Sequence, residues 1–542
     1  MKNKLGKKLI LLCLLLITGG FTGCGKGGNK EYSAELNKVL NGSPETIDPQ
    51  LCGDTLSAEV ISYFTGTLYT YNTDRELCPG LAESREVSED GCTYTYHLRE
   101  GLKWSDGTPL TAEDFVYGFQ RLADPTTGSG SVYYITDCCE VKNADEINAG
   151  ELPVSELGVS APDNRTFIVE LESPCPYFDS LTTQCPLAPC SRAFRNSCGD
   201  SFATSPDTVL CCGPYILDRY EPLAAQIHFV KNPNYYNADS VAIEGLNLQV
   251  VANMQQAMMC YQAGSMDIVN VSGELAELAV DDPHLQVFDT AGTFFLDLDL
   301  RNNEALGNVN IRRALSKSLD RESVVKNVLR TGYSALTRIN PPNFYLDTDG
   351  EDFAGDDDMY DEYLGYDPDK AREYWNKGLE ELGVESITLE MMFYSSMQSV
   401  AEVFSNQMIN NLPGLTVNLK PVSAKEYTRA KGAGEYEMLL YGWVADYADP
   451  TAFYMLYVSS ACPVGYDNPD FDKLFSETGT ETDTAKRNEM LHKLEDMLCE
   501  DVVCLPLFST NSAFLIADGV TGMQLYPTGA VVVVTGLSKE VR

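Results

Sequence analysis

The chain has 542 residues, 44% of them hydrophobic, and carries 79 acidic against 39 basic residues for a formal charge of −40. That balance excludes nucleic-acid binding, which needs a concentrated basic face, and points to a strongly solvated acidic surface. The length exceeds what one hydrophobic core usually organises, so two or three domains are expected.

Lys2, Lys4, Lys7 and Lys8 precede an apolar run from Leu9 to Ile17, the charged and greasy parts of an export signal. The run is too short to cross a membrane, which takes about 20 apolar residues. Gly20-Phe21-Thr22-Gly23-Cys24 closes the segment and resembles the lipobox of bacterial lipoproteins, with Phe21 in place of the usual leucine. The resemblance implies that residues 1–23 are removed and that Cys24 becomes the lipid-modified N-terminus. Residues 24–30 then form a glycine-rich tether, and the protein works at the outer face of the cell membrane. No second membrane segment follows.

Thr93 to Leu98 alternates in the manner of a strand. Thr111-Ala-Glu-Asp114 resembles a capping box, with Asp for Glu, and opens a helix through Leu122. Thr166 to Leu171 reads as another strand. Ile311, Leu315, Val325 and Leu329 put a helix over Asn310 to Leu329, and Asp367-Pro368 supplies an N-cap with proline at the first helical position. Strands follow at Ile387 to Phe393, Thr416 to Leu419, Glu437 to Tyr441 and Ala530 to Thr535. The result is mixed α/β, without βαβ regularity.

Many of the 17 cysteines crowd between Cys138 and Cys212, but they form no paired CxxC motif. With Cys13 lost in the signal and Cys24 lipidated, an odd number remains, read as buried thiols with one or two disulfides among them and no metal. The acidic stretch Asp347 to Asp358 fails the calcium-loop test, since Gly350 is fourth where the sixth position must be glycine and Asp358 stands where the loop needs a glutamate. It reads as a solvated loop.

His97, His228, His284 and His492 stand outside any catalytic motif. There is no GxSxG, HExxH, GxxxxGK[ST] or GxGxxG, so the common nucleophilic, zinc, phosphate and dinucleotide chemistries lack their local signatures, and neither an enzyme nor a cofactor is expected.

The run from Tyr96-His97-Leu98-Arg99-Glu100-Gly101-Leu102-Lys103-Trp104-Ser105-Asp106-Gly107-Thr108-Pro109 to Leu110-Thr111-Ala112-Glu113-Asp114-Phe115-Val116 reads as a strand, a turn at Asp106-Gly107 and a capped helix. It resembles the signature of the oligopeptide-binding proteins of bacterial ABC importers, the extracellular solute-binding protein family 5. Ile47-Asp48-Pro49, Leu157-Gly158-Val159, Pro174 to Phe178, Gly213-Pro214-Tyr215, Lys231 to Tyr236, Gly264 to Ile268, Ile311 to Leu315, Tyr366-Asp367-Pro368 and Gly442 to Pro450 continue the resemblance in family order. It implies an α/β, two-lobed periplasmic-binding-protein type II-like clamp with an extra subdomain inserted in the first lobe. By that analogy residues 31–285 form lobe one, with the insert at about 75–205. Residues 286–504 form lobe two, and 505–542 return to lobe one.

Gly442-Trp443-Val444-Ala445-Asp446 follows the apolar strand, so a strand-end loop is expected there, where α/β sheets usually place ligands. The resemblance implies that Asp446 pairs with a peptide's α-ammonium and that Gly442, Trp443 and Val444 line the ligand. It also places Thr55, Tyr134 and Asn270 against the peptide. Family members can set two arginines toward the peptide carboxylate; here Lys431 stands at one position and Leu440 at the other, so the bidentate fork is lost. The implied protein is a monomeric receptor that takes an oligopeptide and delivers it to permease subunits, held to the membrane by its lipid. Its rivals are the same fold binding an oligosaccharide, a metal chelate or a signalling peptide, and a secreted hydrolase.

Overall fold

The computed structural model describes residues 35–540, apart from 221–224, 331, 348–349, 356–358, 461, 463 and 529–530. The export segment, Cys24 and the tether therefore lie outside the described residues, as do parts of the acidic stretch.

Two long antiparallel strands, Leu285–Leu298 and Cys504–Ile516, organise the chain. Among the described residues they stand in the middle of an eleven-stranded sheet. On one side lie Met438–Val444, Ile387–Tyr394 and Leu415–Val422; on the other lie Ile268–Val271, Glu35–Leu40, Gly245–Val250, Gln226–Lys231 and Tyr215–Arg219, while Tyr333–Ala335 pairs with Cys504–Ile516 off this path. Both half-sheets thus share one backbone seam, although their strands come from distant parts of the sequence.

The seam is irregular where the halves meet. Asp289 faces Asn511 and Gly292 faces Thr510, so Thr290 and Ala291 are extra residues on one strand. Such bulges bend a strand and increase its local twist. The Thr290 hydroxyl returns to the Thr510 carbonyl oxygen at 2.6 Å. A Cβ on Gly292 would stand 2.2 Å from Thr510 Oγ1, so only glycine fits beside the bulge.

A separate antiparallel sheet, Ala82–Val87, Thr93–Leu98, Thr166–Glu170 and Val159–Asp163, belongs to the chain inserted between Tyr71 and Tyr215. Its Tyr96, Phe115, Phe167 and Phe178 share one continuous apolar core with Phe295, Met391, Leu440 and Phe453. A second core, with Leu36, Phe229, Leu246 and Ile516, lies under the strands on the opposite side of the seam. Toward that side the insert is tied by charge: Arg121 on the helix Ala112–Ala123 meets Asp48 at 2.8 Å, with both side chains buried.

Local signals place most elements. The Asp114 carboxylate accepts from the Thr111 backbone N–H at 2.8 Å, closing the box that starts the helix. Asp367 caps the helix Pro368–Leu382 through the Lys370 N–H at 3.0 Å. The expected helix over Asn310 to Leu329 is instead Val309–Lys317, then Arg321–Val324 and a π-turn at Val325–Leu329. Asp320 causes the break by capping a new start through the Ser323 N–H. The expected strand Ala530 to Thr535 is also corrected. Its first residue lies outside the described residues, Val532 makes a single bridge to Leu525, and Val534–Gly536 is a 3₁₀ turn. The disulfide expectation fails too: the fifteen described cysteines are all thiols, eleven of them buried, where they act as small apolar side chains.

Gly292→Ala should lower unfolding stability by about 1–3 kcal/mol, the usual cost of forcing an extra methyl into a packed position, as read by the urea midpoint.

Candidate functional site

The strand Met438–Val444 starts with four buried apolar residues and runs between Leu285–Leu298 and Ile387–Tyr394. Gly442 and Trp443 belong to it, and it ends at Val444, so the expected loop is corrected: those three residues are strand, and only Ala445 and Asp446 pass its end. The ladder persists because Gly442, Trp443 and Val444 pair with Phe294, Thr293 and Gly292. At Gly442 a Cβ would meet the Phe294 ring at 2.8 Å, so glycine permits the close approach. Ala445 N–H donates to the Ala291 carbonyl oxygen at 2.8 Å and carries the chain onto the bulge.

Beyond the strand, the segment to Thr451 is irregular but satisfied. The insert supplies Gln184, whose amide donates to the Asp446 carbonyl oxygen at 2.8 Å, and Ser180, whose hydroxyl accepts from Ala448 N–H at 2.8 Å. Tyr177 stacks on Tyr447 with ring centres 4.0 Å apart. Asp449 meets Arg487 at 2.7 and 3.1 Å in a buried fork, and it also accepts from the Thr451 N–H and hydroxyl. These contacts fix the loop as firmly as a ladder would.

Asp446 is treated differently. Tyr133 and Tyr134 donate their hydroxyls to its Oδ1 at 3.0 and 3.3 Å, while Oδ2 accepts no hydrogen bond among the described residues. Burial raises the carboxyl above the usual aspartate range; the two hydroxyls and Lys431 act against that rise. Tyr133 and Tyr134 stack at 4.4 Å, and Tyr134 opens a π-turn through Cys138.

Lys431, on the helix Ala424–Ala433, donates to the Tyr441 hydroxyl at 2.6 Å. Its ammonium lies 3.9 Å from the Tyr441 ring centre and 5.1 Å from that of Trp443, a cation held by aromatic faces. It makes no ion pair among the described residues. Burial lowers its affinity for a proton, while Asp297 and Asp446 raise it. Behind it, Asp297 is buried on the central strand, accepts from the Tyr457 hydroxyl at 3.3 Å, and is pushed up to about 6 by burial. Trp443 is fixed edge-on, its indole N–H donating to the Ala452 carbonyl oxygen at 2.8 Å. Leu440 is buried in the core.

The structure therefore brings together Asp446, Tyr134, Lys431 and Trp443, with Gly442 and Val444 on the strand that carries them. Thr55 and Asn270 stand apart. Thr55 is exposed in the first turn of the helix Thr55–Phe64, and Asn270 Oδ1 accepts from Asn41 at 3.1 Å. Sequence reasoning did not reach Tyr133, Gln184 or Ser180; the only sequence signal near the first is its tyrosine pairing with Tyr134.

A carboxylate and an amine stand here among aromatic rings, Asp446 under Tyr133 and Tyr134, Lys431 over Tyr441 and Trp443. Such an arrangement suits the recognition of a charged solute. On a two-lobed α/β clamp with an inserted subdomain, it defines the class of a solute-binding protein. The comparisons agree. Residues 76–463 match the family described as bacterial extracellular solute-binding proteins, family 5, and the chain belongs to it. It is 29% identical over 543 residues to a dipeptide-binding protein of Lactococcus lactis subsp. cremoris, covering 96% of this chain and 97% of that protein. It is 28% identical over 551 residues to the oligopeptide-binding protein OppA of Bacillus subtilis, with the same coverage. Among solved structures, OppA of Listeria monocytogenes bound to peptide superposes with a TM-score of 0.73 at 28% identity, covering 94% of this chain and 99% of that one.

Asp297 binds its proton more tightly when folded than in the unfolded chain, where an aspartate titrates near 4. Its charge therefore weakens the fold as pH rises from about 4 to about 6 and remains a constant cost above that, up to about 3 kcal/mol. Asp297→Asn should raise the melting temperature relative to the parent at pH 7 to 8, and the gain should shrink toward zero near pH 4 in calorimetric scans.

Proposed function

We propose that this protein captures oligopeptides at the outer face of the cell membrane and delivers them to the permease subunits of an ABC importer, with no chemistry of its own. The observation that carries the reading is Asp446, a partly buried carboxylate with one oxygen engaged and the other uncommitted. A peptide's α-ammonium has a pKa of about 7.7–8 and enters mostly charged at neutral pH, so it requires such a counter-charge once enclosed. The names of the relatives support a peptide ligand.

In this reading Trp443 gives the first side chain a flat wall, Tyr134 closes over the amino end, and Lys431 serves an anionic group of the ligand. Gly442 and Val444 offer strand backbone, and Thr55 and Asn270 approach from the other half of the clamp. Recognition of many sequences then rests on backbone hydrogen bonds in an extended pose, with side chains in wet pockets. The lobe boundaries are those implied by the family resemblance: 31–285 with 505–542, against 286–504.

No helix among the described residues is long and apolar enough to cross a membrane. Attachment as a monomer through lipid on Cys24 fits that observation and the export segment before it, and it raises the effective concentration of receptor beside its permease.

Asp446→Ala should weaken binding of a free-amino peptide by two to four decades in calorimetry, following the roughly 3–5 kcal/mol typical of a broken buried pair. N-acetylation of the peptide should cost the parent a similar amount and the variant little further. Unchanged affinity in the variant would remove Asp446 as the anchor. Cys24→Ser should move the protein from the membrane fraction into the medium on cell fractionation; retention would refute the lipid anchor.

A further inference from the structure

Neighbouring residues on a helix project about 100° apart, so consecutive tyrosines normally diverge. Tyr133 and Tyr134 do the opposite. Their rings stack at 4.4 Å with 28° between planes, at the start of the π-turn Tyr134–Cys138, and both hydroxyls end on the same oxygen of Asp446. Short π-turns of this kind are uncommon and concentrate at functional sites. Two donors on Oδ1 leave the carboxylate one free face, and Gln184 fixes the backbone carbonyl of the same residue.

We propose that Tyr133 is a positioning residue which, together with Tyr134, orients the Asp446 carboxylate so that Oδ2 faces the ligand, and stabilises its charged form. The inference rests on the peptide reading above and concerns how its anchor is kept competent. Burial drives Asp446 toward its neutral form, which lacks the charge that attracts an ammonium. Hydrogen bonds to the charged form oppose that drift, and the phenols are well suited because burial and the carboxylate itself hold both of them protonated. A lysine in their place would carry its own charge and compete with the incoming ammonium; a neutral hydroxyl does not.

The groups around Asp446 are few. Tyr133, Tyr134 and Cys138 face it from the insert, Tyr441 from its own strand, and Lys431 from the preceding helix, backed by Asp297. Cys138 and Tyr441 are shifted upward by burial and stay neutral between pH 5 and 7. Asp297 titrates in that range, and its effect is common to parent and variants, so the ratio of their affinities isolates the clamp.

The test uses Tyr133→Phe and the double variant Tyr133→Phe/Tyr134→Phe, which remove only hydroxyls, with folding checked by thermal unfolding. Native mass spectrometry of a set of free-amino di- to hexapeptides identifies the probe, and its Kd is measured by calorimetry at pH 5, 6 and 7. The loss in affinity relative to the parent should be several-fold larger at pH 5 than at pH 7 in the double variant, because without the hydroxyls the carboxyl protonates more readily as pH falls, with a smaller growth for Tyr133→Phe. A loss of equal size at all three pH values, or none, would overturn the clamp while leaving the peptide reading intact. A parent protein that binds none of the peptides would overturn both.

Discussion

One electrostatic constraint governs the loop after the strand Met438–Val444: the Asp446 carboxylate is drawn partly out of water with two phenol donors and no ion pair among the described residues. Taking a charge from water costs several kcal/mol unless donors replace the lost solvent. The structure supplies partial replacement, two phenol hydroxyls and a distant ammonium, and stops there. A full ion pair would engage both oxygens, whereas here only Oδ1 accepts hydrogen bonds among the described residues.

The comparison with Asp449 makes this concrete. Three residues further along the same loop, Asp449 is engaged on both oxygens, by a bidentate arginine and by Thr451. Its role is to hold the loop in one shape, and Arg487 binds the loop to the helix Thr484–Glu500. Asp446 sits on the shape so fixed. Two aspartates in one motif are thus given different surroundings by distant partners, Arg487 at 38 positions from Asp449 and Tyr133 at 313 from Asp446.

That division explains what was legible in the sequence. Caps are local, so Thr111 with Asp114 and Asp367 with Pro368 were readable, as were strands whose alternation reflects one buried face. Asp446 was reachable through the motif that surrounds it. Tyr133, Gln184 and Ser180 were not, because their importance comes from the packing of the insert against the far half-sheet, and no period in the sequence encodes a contact across 260 residues or more. The break after Lys317 was hidden for a different reason: apolar spacing continued through it, while Asp320, one polar residue, restarted the helix. Gly442-Trp443-Val444 stayed in the ladder because the regular antiparallel register continues to Gly292 opposite Val444, a register that only the partner strand determines.

The insert is therefore more than an elaboration of the first half of the chain. It shares an apolar core with the second half and a buried ion pair, Arg121 with Asp48, with the first, so it is fixed from both sides and can present donors at a defined place. Asp446, its two phenols, Gln184, Lys431 and Trp443 are all positioned by those contacts without any residue of the Thr55 or Asn270 elements. Affinity in such a site is limited less by the number of contacts than by the ordering they require at the moment of binding. Here Asp446 and its donors are ordered beforehand at the cost of burying a carboxylate, a cost that, under the peptide reading proposed above, an arriving ammonium would relieve.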